Sequence, residues 1–193
     1  DPLTHEALAA AGALRTLVDE LGRPSTGMEL ARCVVSSVCD LCVVSAERQE
    51  AAAVAGLVPH LEVAIRSNDV NLSAVCISIY SGLGLAGPKS RAALAAATGV
   101  DTYTQLLASP ATLARWQARI LSSLAEWLDV DAAHVEPRLA SADAVNHIVV
   151  AMARLQLRHA EAMLEPYRAL VCTSRVVNKA LGGRRTLIRL LAQ

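Results

Sequence analysis

Apolar positions along this chain recur in steps of three and four, and the steps come in blocks. In "GMELARCVVSSVCDLCVVS" the residues Leu30, Val34, Val38 and Leu41 form one such stripe, the mark of an amphipathic helix that packs one face on its neighbours. Long segments of the same kind are "DVNLSAVCISIYSGLGL", "PATLARWQARILSSLAEWLDV" and "RHAEAMLEPYRALVCTS". Shorter pairs lie between them. "AERQEAAAVAG" predicts a short helix closing on Gly56, whose tolerance of positive φ lets the chain turn sharply. "LVPHLEVAIRS" predicts a second helix with Pro59 in its opening turn, where no amide hydrogen is required. Ser109-Pro110 and Asn68-Asp69 supply breaks and N-terminal caps.

The blocks read as copies of one unit. "AAAGALRTLVDEL", "AVAGLVPHLEVAI", "AATGVDTYTQLL", "ASADAVNHIVVAM" and, less closely, "ALGGRRTLIRLL" align at Gly12, Gly56, Gly99, Asp143 and Gly183, with spacings of 44, 43, 44 and 40 residues. That is the period of armadillo or HEAT repeats, each a short, a second and a longer third helix. The expected fold is all-α: one domain, a right-handed α-solenoid of about four armadillo-like repeats plus a partial fifth. The expected repeats are residues 1–45, 46–87, 88–131, 132–174 and a partial 175–193.

One stretch offers a rival chemistry. Gly82, Gly84 and Gly87 fit G-x-G-x-x-G, and Lys89-Ser90 follow like the tail of a phosphate-binding loop. Such a loop needs a strand before it and a helix N-terminus after it. The repeat register instead puts "AVCISIY" in a third helix and the glycines at its fraying end and the turn into the next unit. Pro88 also separates Gly87 from Lys89, which breaks the P-loop spacing. Turn glycines are expected, with no nucleotide cofactor.

Composition fits the helical reading. Among 193 residues 53% are hydrophobic and only 3% aromatic, with no Phe, a bias toward closely packed helices rather than sheets. Eighteen basic residues balance eighteen acidic ones, so no net field draws the chain to nucleic acid or an anionic membrane. The uncharged run from Val70 to Pro88 is diluted by serines, Asn71 and glycines, so no membrane insertion is expected. The five cysteines, Cys33, Cys39, Cys42, Cys76 and Cys172, are odd in number and set among apolar residues, pointing to reduced thiols in a cytosolic or nuclear setting. The first residues, "DPLTHEALAA", have no signal-peptide character, and a fragment of a longer protein is expected.

Certain residues narrow the family. Arg48-Gln49-Glu50, Ala53, Gly56 and Pro59-His60-Leu61, then Gly99-Val100-Asp101 with Tyr103, then Asp129-Val130-Asp131, Val135-Glu136 and Asp143-Ala144-Val145 carry a pattern across residues 28–190. It resembles the C-terminal armadillo-like region of septation and mitotic-exit-network protein kinases, whose plant relatives are the epsilon-class MAP kinase kinase kinases. The chain has no H-R-D, D-F-G or V-A-I-K element. The resemblance therefore implies a non-catalytic segment of such a kinase, not an enzyme in itself. It further implies docking to a Ras-superfamily septation GTPase or a pole-body or centrosomal scaffold, self-association, and a cytoplasmic location at the spindle pole body or centrosome. Two alternatives stand beside it: an armadillo or HEAT segment of an unrelated adaptor or transport factor, and a helical metal-binding or enzyme domain.

No binding residue transfers through the resemblance, so candidates come from the residues themselves. Third helices line the concave face of armadillo arrays, where import receptors carry a Trp and an Asn four residues apart. The corresponding pairs here are Ser36 with Asp40, Ile77 with Ser81, and Ser122 with Glu126. That ladder is absent, and Asp40 and Glu126 suit a basic or helical partner instead. Trp116 and Trp127 are core residues or interface anchors. Lys179, Arg184, Arg185 and Arg189 are a solvated helix face or a seat for a phosphorylated scaffold segment. Leu187, Ile188, Leu190 and Leu191 form an apolar set without a following third helix to cover it, the expected contact of a homodimer. Cys39 and Cys42 form a C-x-x-C with no second pair, which favours core thiols over a zinc site. His60, Tyr103 and His147 fall at equivalent repeat positions, each ring expected to pack on the next repeat and to satisfy its polar edge locally.

Overall fold

The computed structural model describes residues 8, 12–23, 27–42, 45–67, 69–156 and 159–182. Among them all regular structure is helical, and two compact units divide the chain, Asp1–Ala97 and Thr98–Gln193. The first holds α1 (Ala13–Leu21), α2 (Met28–Cys42), α3 (Ala46–Val54), α4 (Leu57–Ile65), α5 (Val70–Ala86) and α6 (Pro88–Ala96). The second holds α7 (Gly99–Ala108), α8 (Ala114–Val130), α9 (Ala132–Leu139), α10 (Ala142–Ala153), α11 (Ala160–Thr173) and α12 (Arg175–Gly182).

Helix lengths follow a rhythm. Two helices of eight to twelve residues precede each longer one: α3 and α4 before α5, α6 and α7 before α8, α9 and α10 before α11. Within each unit, helices of the same rank pack together. In the first unit α2 lies on α5 and α3 on α6; in the second α7 lies on α10, α8 on α11 and α9 on α12. The contact of α8 with α11 is the most extensive of these.

The glycine anchors divide into two kinds. Gly12 (φ 76°) and Gly56 (φ 99°) precede α1 and α4 in the left-handed region, where a Cβ would be strained. Gly99 is instead the first residue of α7, and Thr98 precedes it. Asp143 is the second residue of α10, whose cap is Ser141, its hydroxyl accepting from the Ala144 amide at 3.2 Å. A serine cap does there what a left-handed glycine does elsewhere, because either lets the chain enter a helix from a non-helical residue. Gly183 lies outside the described residues.

Helix ends are tied by side chains of the following helix. Arg48 donates to the Leu41 carbonyl (3.2 Å) and Gln49 to that of Cys42 (3.0 Å), closing α2. In the same way Ser90 donates to the Leu83 carbonyl (2.7 Å) and Arg91 to that of Gly84 (3.0 Å), closing α5. These are carbonyls a helix terminus leaves without partners of its own. Acceptors are placed with the same regularity: the Glu50 carboxylate takes the Lys89 amide at 2.7 Å, and Glu136 takes the Ser174 hydroxyl. Ser174 itself accepts from the Val176 and Val177 amides, both at 3.1 Å. In each case a glutamate of one short helix secures the start of the next helix of its rank.

Leu30 departs from the expected stripe. Val34, Val38 and Leu41 are buried, whereas Leu30 is 46% exposed in the first turn of α2. Nearby, Asp69 caps α5 by accepting from the amides of Asn71 (3.1 Å) and Leu72 (3.0 Å), and it pairs with Arg32 at 2.6 Å. The Leu72 amide first, and then the Arg32 guanidinium, hold its carboxyl below the usual carboxylate range. A depressed folded-state pKa stabilises above the unfolded value and is lost as pH falls through the folded one. Acid titration monitored by helicity should therefore show Asp69→Asn losing less stability than the wild type as the pH drops below the carboxylate range.

Candidate functional site

The glycine run is the first candidate to place. Ile77 to Leu83 is helical, as the register predicts, but α5 does not fray at Gly82: the helix continues to Ala86, with Gly82 and Gly84 buried inside it. From Cys76 to Gly84 every residue but Ser78 is buried, so a strand-like apolar run is here a helix enclosed on all sides. Only Gly87 lies at the turn. A Cβ there would sit 2.8 Å from the Glu50 carboxyl carbon. The groups a phosphate would use are engaged, the Lys89 amide by Glu50 and the Ser90 hydroxyl by the Leu83 carbonyl. A carboxylate already occupies the anion position at the start of α6. Calorimetry with ATP, GTP or NAD should give no saturable heat; micromolar binding abolished by Gly84→Val would contradict this arrangement.

The C-x-x-C pair is divided between two environments. Cys42 is buried, and burial first, then the neighbouring Cys39, pushes its thiol up to about 12. Cys39 is half-buried, its sulfur 3.5 Å from the Ser78 hydroxyl. Cys76 is likewise pushed up to about 12, chiefly by burial. Protonated thiols of this kind pack as small apolar groups. Among the described residues no cluster of three His, Cys, Asp or Glu side chains is placed to hold a metal ion. None of the described helices is long and apolar enough to cross a membrane.

The periodic aromatic positions differ from one another. Tyr103 is fully buried. His60 is half-buried, and a Cβ on Gly22 would lie 3.7 Å from its ring, so it packs on the turn after α1, which belongs to the preceding block and not to the next one as expected. The His147 Nδ1 is buried without a hydrogen-bond partner, contrary to the expected local satisfaction of each ring.

The partner candidates spread across both units. Asp40 is exposed on α2, beside an open groove of about 480 Å³ lined by Leu8, Ala13, Thr16, Leu17, Ser37 and Leu41. Ser81 is a correction: it is fully buried and its hydroxyl donates to the Ser78 carbonyl at 3.1 Å. The expected surface residue is enclosed because burial is unbroken from Ile79 to Gly84, although Ser81 lies on the side of α5 that carries the exposed Ala74 and Leu85. Ser122 is half-buried, donating to the Ala118 carbonyl at 3.2 Å, and Glu126 is exposed on the same helix. Trp127 is buried and stacks on His134 with ring centroids 5.8 Å apart; it belongs to the core. Trp116 is half-buried, with the Arg115 guanidinium 4.7 Å from its ring centroid. Lys179 is exposed on α12. Arg184, Arg185, Arg189, Leu187, Ile188, Leu190 and Leu191 lie outside the described residues.

Two residues that the sequence reading passed over stand beside Trp116. Arg115 and Arg119 sit one turn apart on α8, and neither has a carboxylate partner among the described residues. Most other described arginines pair with a carboxylate or a main-chain carbonyl, for example Arg23 with Glu20, Arg138 with Asp101 and Arg154 with the Ala108 carbonyl. The signal was an Arg-x-x-x-Arg spacing around a tryptophan on a helix.

No protein-family model matches the chain. Across 94% of its length it is 31% identical to MAP3K epsilon protein kinase 1 and to MAP3K epsilon protein kinase 2 of Arabidopsis thaliana, and 29% identical to MAP3K epsilon protein kinase 1 of Brassica napus. It spans only 13% of the two Arabidopsis proteins and 14% of the Brassica one. Nearly the whole chain is thus homologous to a limited portion of plant MAP3K epsilon protein kinases, and the regular structure of the chain's described residues is helical.

Proposed function

We propose that the chain is a non-catalytic interaction and scaffolding module, a right-handed solenoid of armadillo-like repeats within a septation-network type of protein kinase. The observation that carries this is the packing of helices on others of the same rank in both units, which is how stacked repeats bury a continuous core. A match to only 13% of the length of proteins named as kinases fits a segment distinct from catalysis. Its partners are a Ras-superfamily septation GTPase or a pole-body or centrosomal scaffold, which place the protein in the cytoplasm at that structure. The test is a pull-down of purified chain with the GTPase loaded with GDP or a GTP analogue. Retention that depends on the nucleotide supports the reading; equal absence in both states, with no binding to the scaffold, removes it.

Self-association through Leu187, Ile188, Leu190 and Leu191 belongs to the same proposal. Light scattering should give twice the monomer mass of 20.3 kDa, and the double change Leu187→Glu, Leu191→Glu should halve it. A monomer at high micromolar concentration would refute the dimer.

A further inference from the structure

We infer that the exposed strip of α8 is a docking site for a partner peptide of divided charge, acidic where it meets Arg115 and Arg119 and basic where it meets Glu126 and Asp129. This deepens the proposed role and rests on it. Residues at 3.6 per turn place Arg115, Arg119, Glu126 and Asp129 on one side of the helix. Arg115, Glu126 and Asp129 are exposed and Arg119 is half-exposed.

Two independent observations favour a ligand. First, the charges run against the helix dipole: α8 has no acidic residue in its first turn and no basic one in its last, although anions stabilise the N-terminus and cations the C-terminus. The helix's own electrostatics do not account for the order. Second, the arginine end holds an apolar anchor, Trp116, half-buried under the Arg115 guanidinium. Tryptophan and arginine together are the residue types that dominate binding at protein interfaces. A carboxylate arriving there would form charge-assisted hydrogen bonds to either guanidinium, and an apolar side chain would cover the open edge of Trp116. The strip from Arg115 to Asp129 is about 21 Å long, enough for a short helix or an extended peptide.

The probe is a fluorescein-labelled 14-mer with glutamates in one half, lysines in the other and leucines at helical spacing. Controls are the same peptide with glutamate throughout and with lysine throughout. Fluorescence anisotropy should show saturable binding of the divided peptide, at least tenfold tighter than either control. Trp116 should report the same event in its emission, since Trp127 is buried. The double change Arg115→Glu, Arg119→Glu should weaken the divided peptide at least tenfold and make the all-lysine peptide the preferred ligand, with helicity unchanged. Equal affinity for all three peptides, or no switch of preference in the variant, would overturn the site. A chain that ignores all three peptides yet still binds the septation GTPase loses this surface alone; one that binds neither loses the interaction role as well.

Discussion

Replacing Trp127 with alanine should cost about 3–5 kcal/mol, the usual range for deleting a buried tryptophan. The side chain is 1% exposed and lies in the last turns of α8, among Leu124, Leu128 and Ile120, all fully buried. Its ring stacks on His134 of α9, so the substitution opens a cavity where a long helix hands over to the next short one. Thermal unfolding followed by circular dichroism should drop by about 10 °C for a chain of this size. His134→Ala, which removes only the stacking partner, should cost about 1 kcal/mol. Equal effects of the two changes would show that Trp127 does not carry the packing at this junction.

Gly56→Val should have the second largest effect, about 2–3 kcal/mol. Gly56 holds φ at 99° between α3 and α4. No atom lies within 4 Å of where a Cβ would stand, so the cost is conformational rather than a clash. Left-handed backbone disfavours any L residue, and a β-branched one most. Gly99→Ala should be mild by comparison, because Gly99 is an ordinary first helical residue and not a left-handed one. Gly99 is buried and Gly56 exposed, so Gly56→Ala, which keeps the position and changes only the side chain, separates the backbone cost from that of β-branching.

Those two glycines also mark the reach of the sequence. Spacing put Gly12, Gly56, Gly99 and Asp143 at the starts of helices, since a break in the periodic pattern recurs wherever a short helix meets the next. It did not distinguish a left-handed glycine from a first helical residue, because either breaks the periodic pattern at the same place. The long helices were legible where polar and apolar residues alternate, as at Val34, Val38 and Leu41. They were less so in α5, where unbroken burial from Ile79 to Gly84 encloses Ser81 although its helical position falls on the side of the exposed Ala74 and Leu85. Trp116 was visible as a candidate anchor, but the flanking Arg115 and Arg119 became notable only when most other described arginines were seen to have partners. The hydrogen bonds of Glu50 and Glu136 join residues far apart in sequence, and no local pattern announces them.

The stacked-repeat account is tested most directly by removing one whole unit. Repeat arrays are held by contacts between neighbours, so an in-register deletion leaves equivalent surfaces to rejoin. Deleting residues 88–131 should yield a shorter chain that keeps its helicity per residue and unfolds cooperatively at a lower temperature. Deleting only residues 88–109, half a repeat, should abolish cooperative unfolding. If the whole-repeat deletion were as unfolded as the half-repeat one, the chain would be an irreducible helical domain and the account would be contradicted.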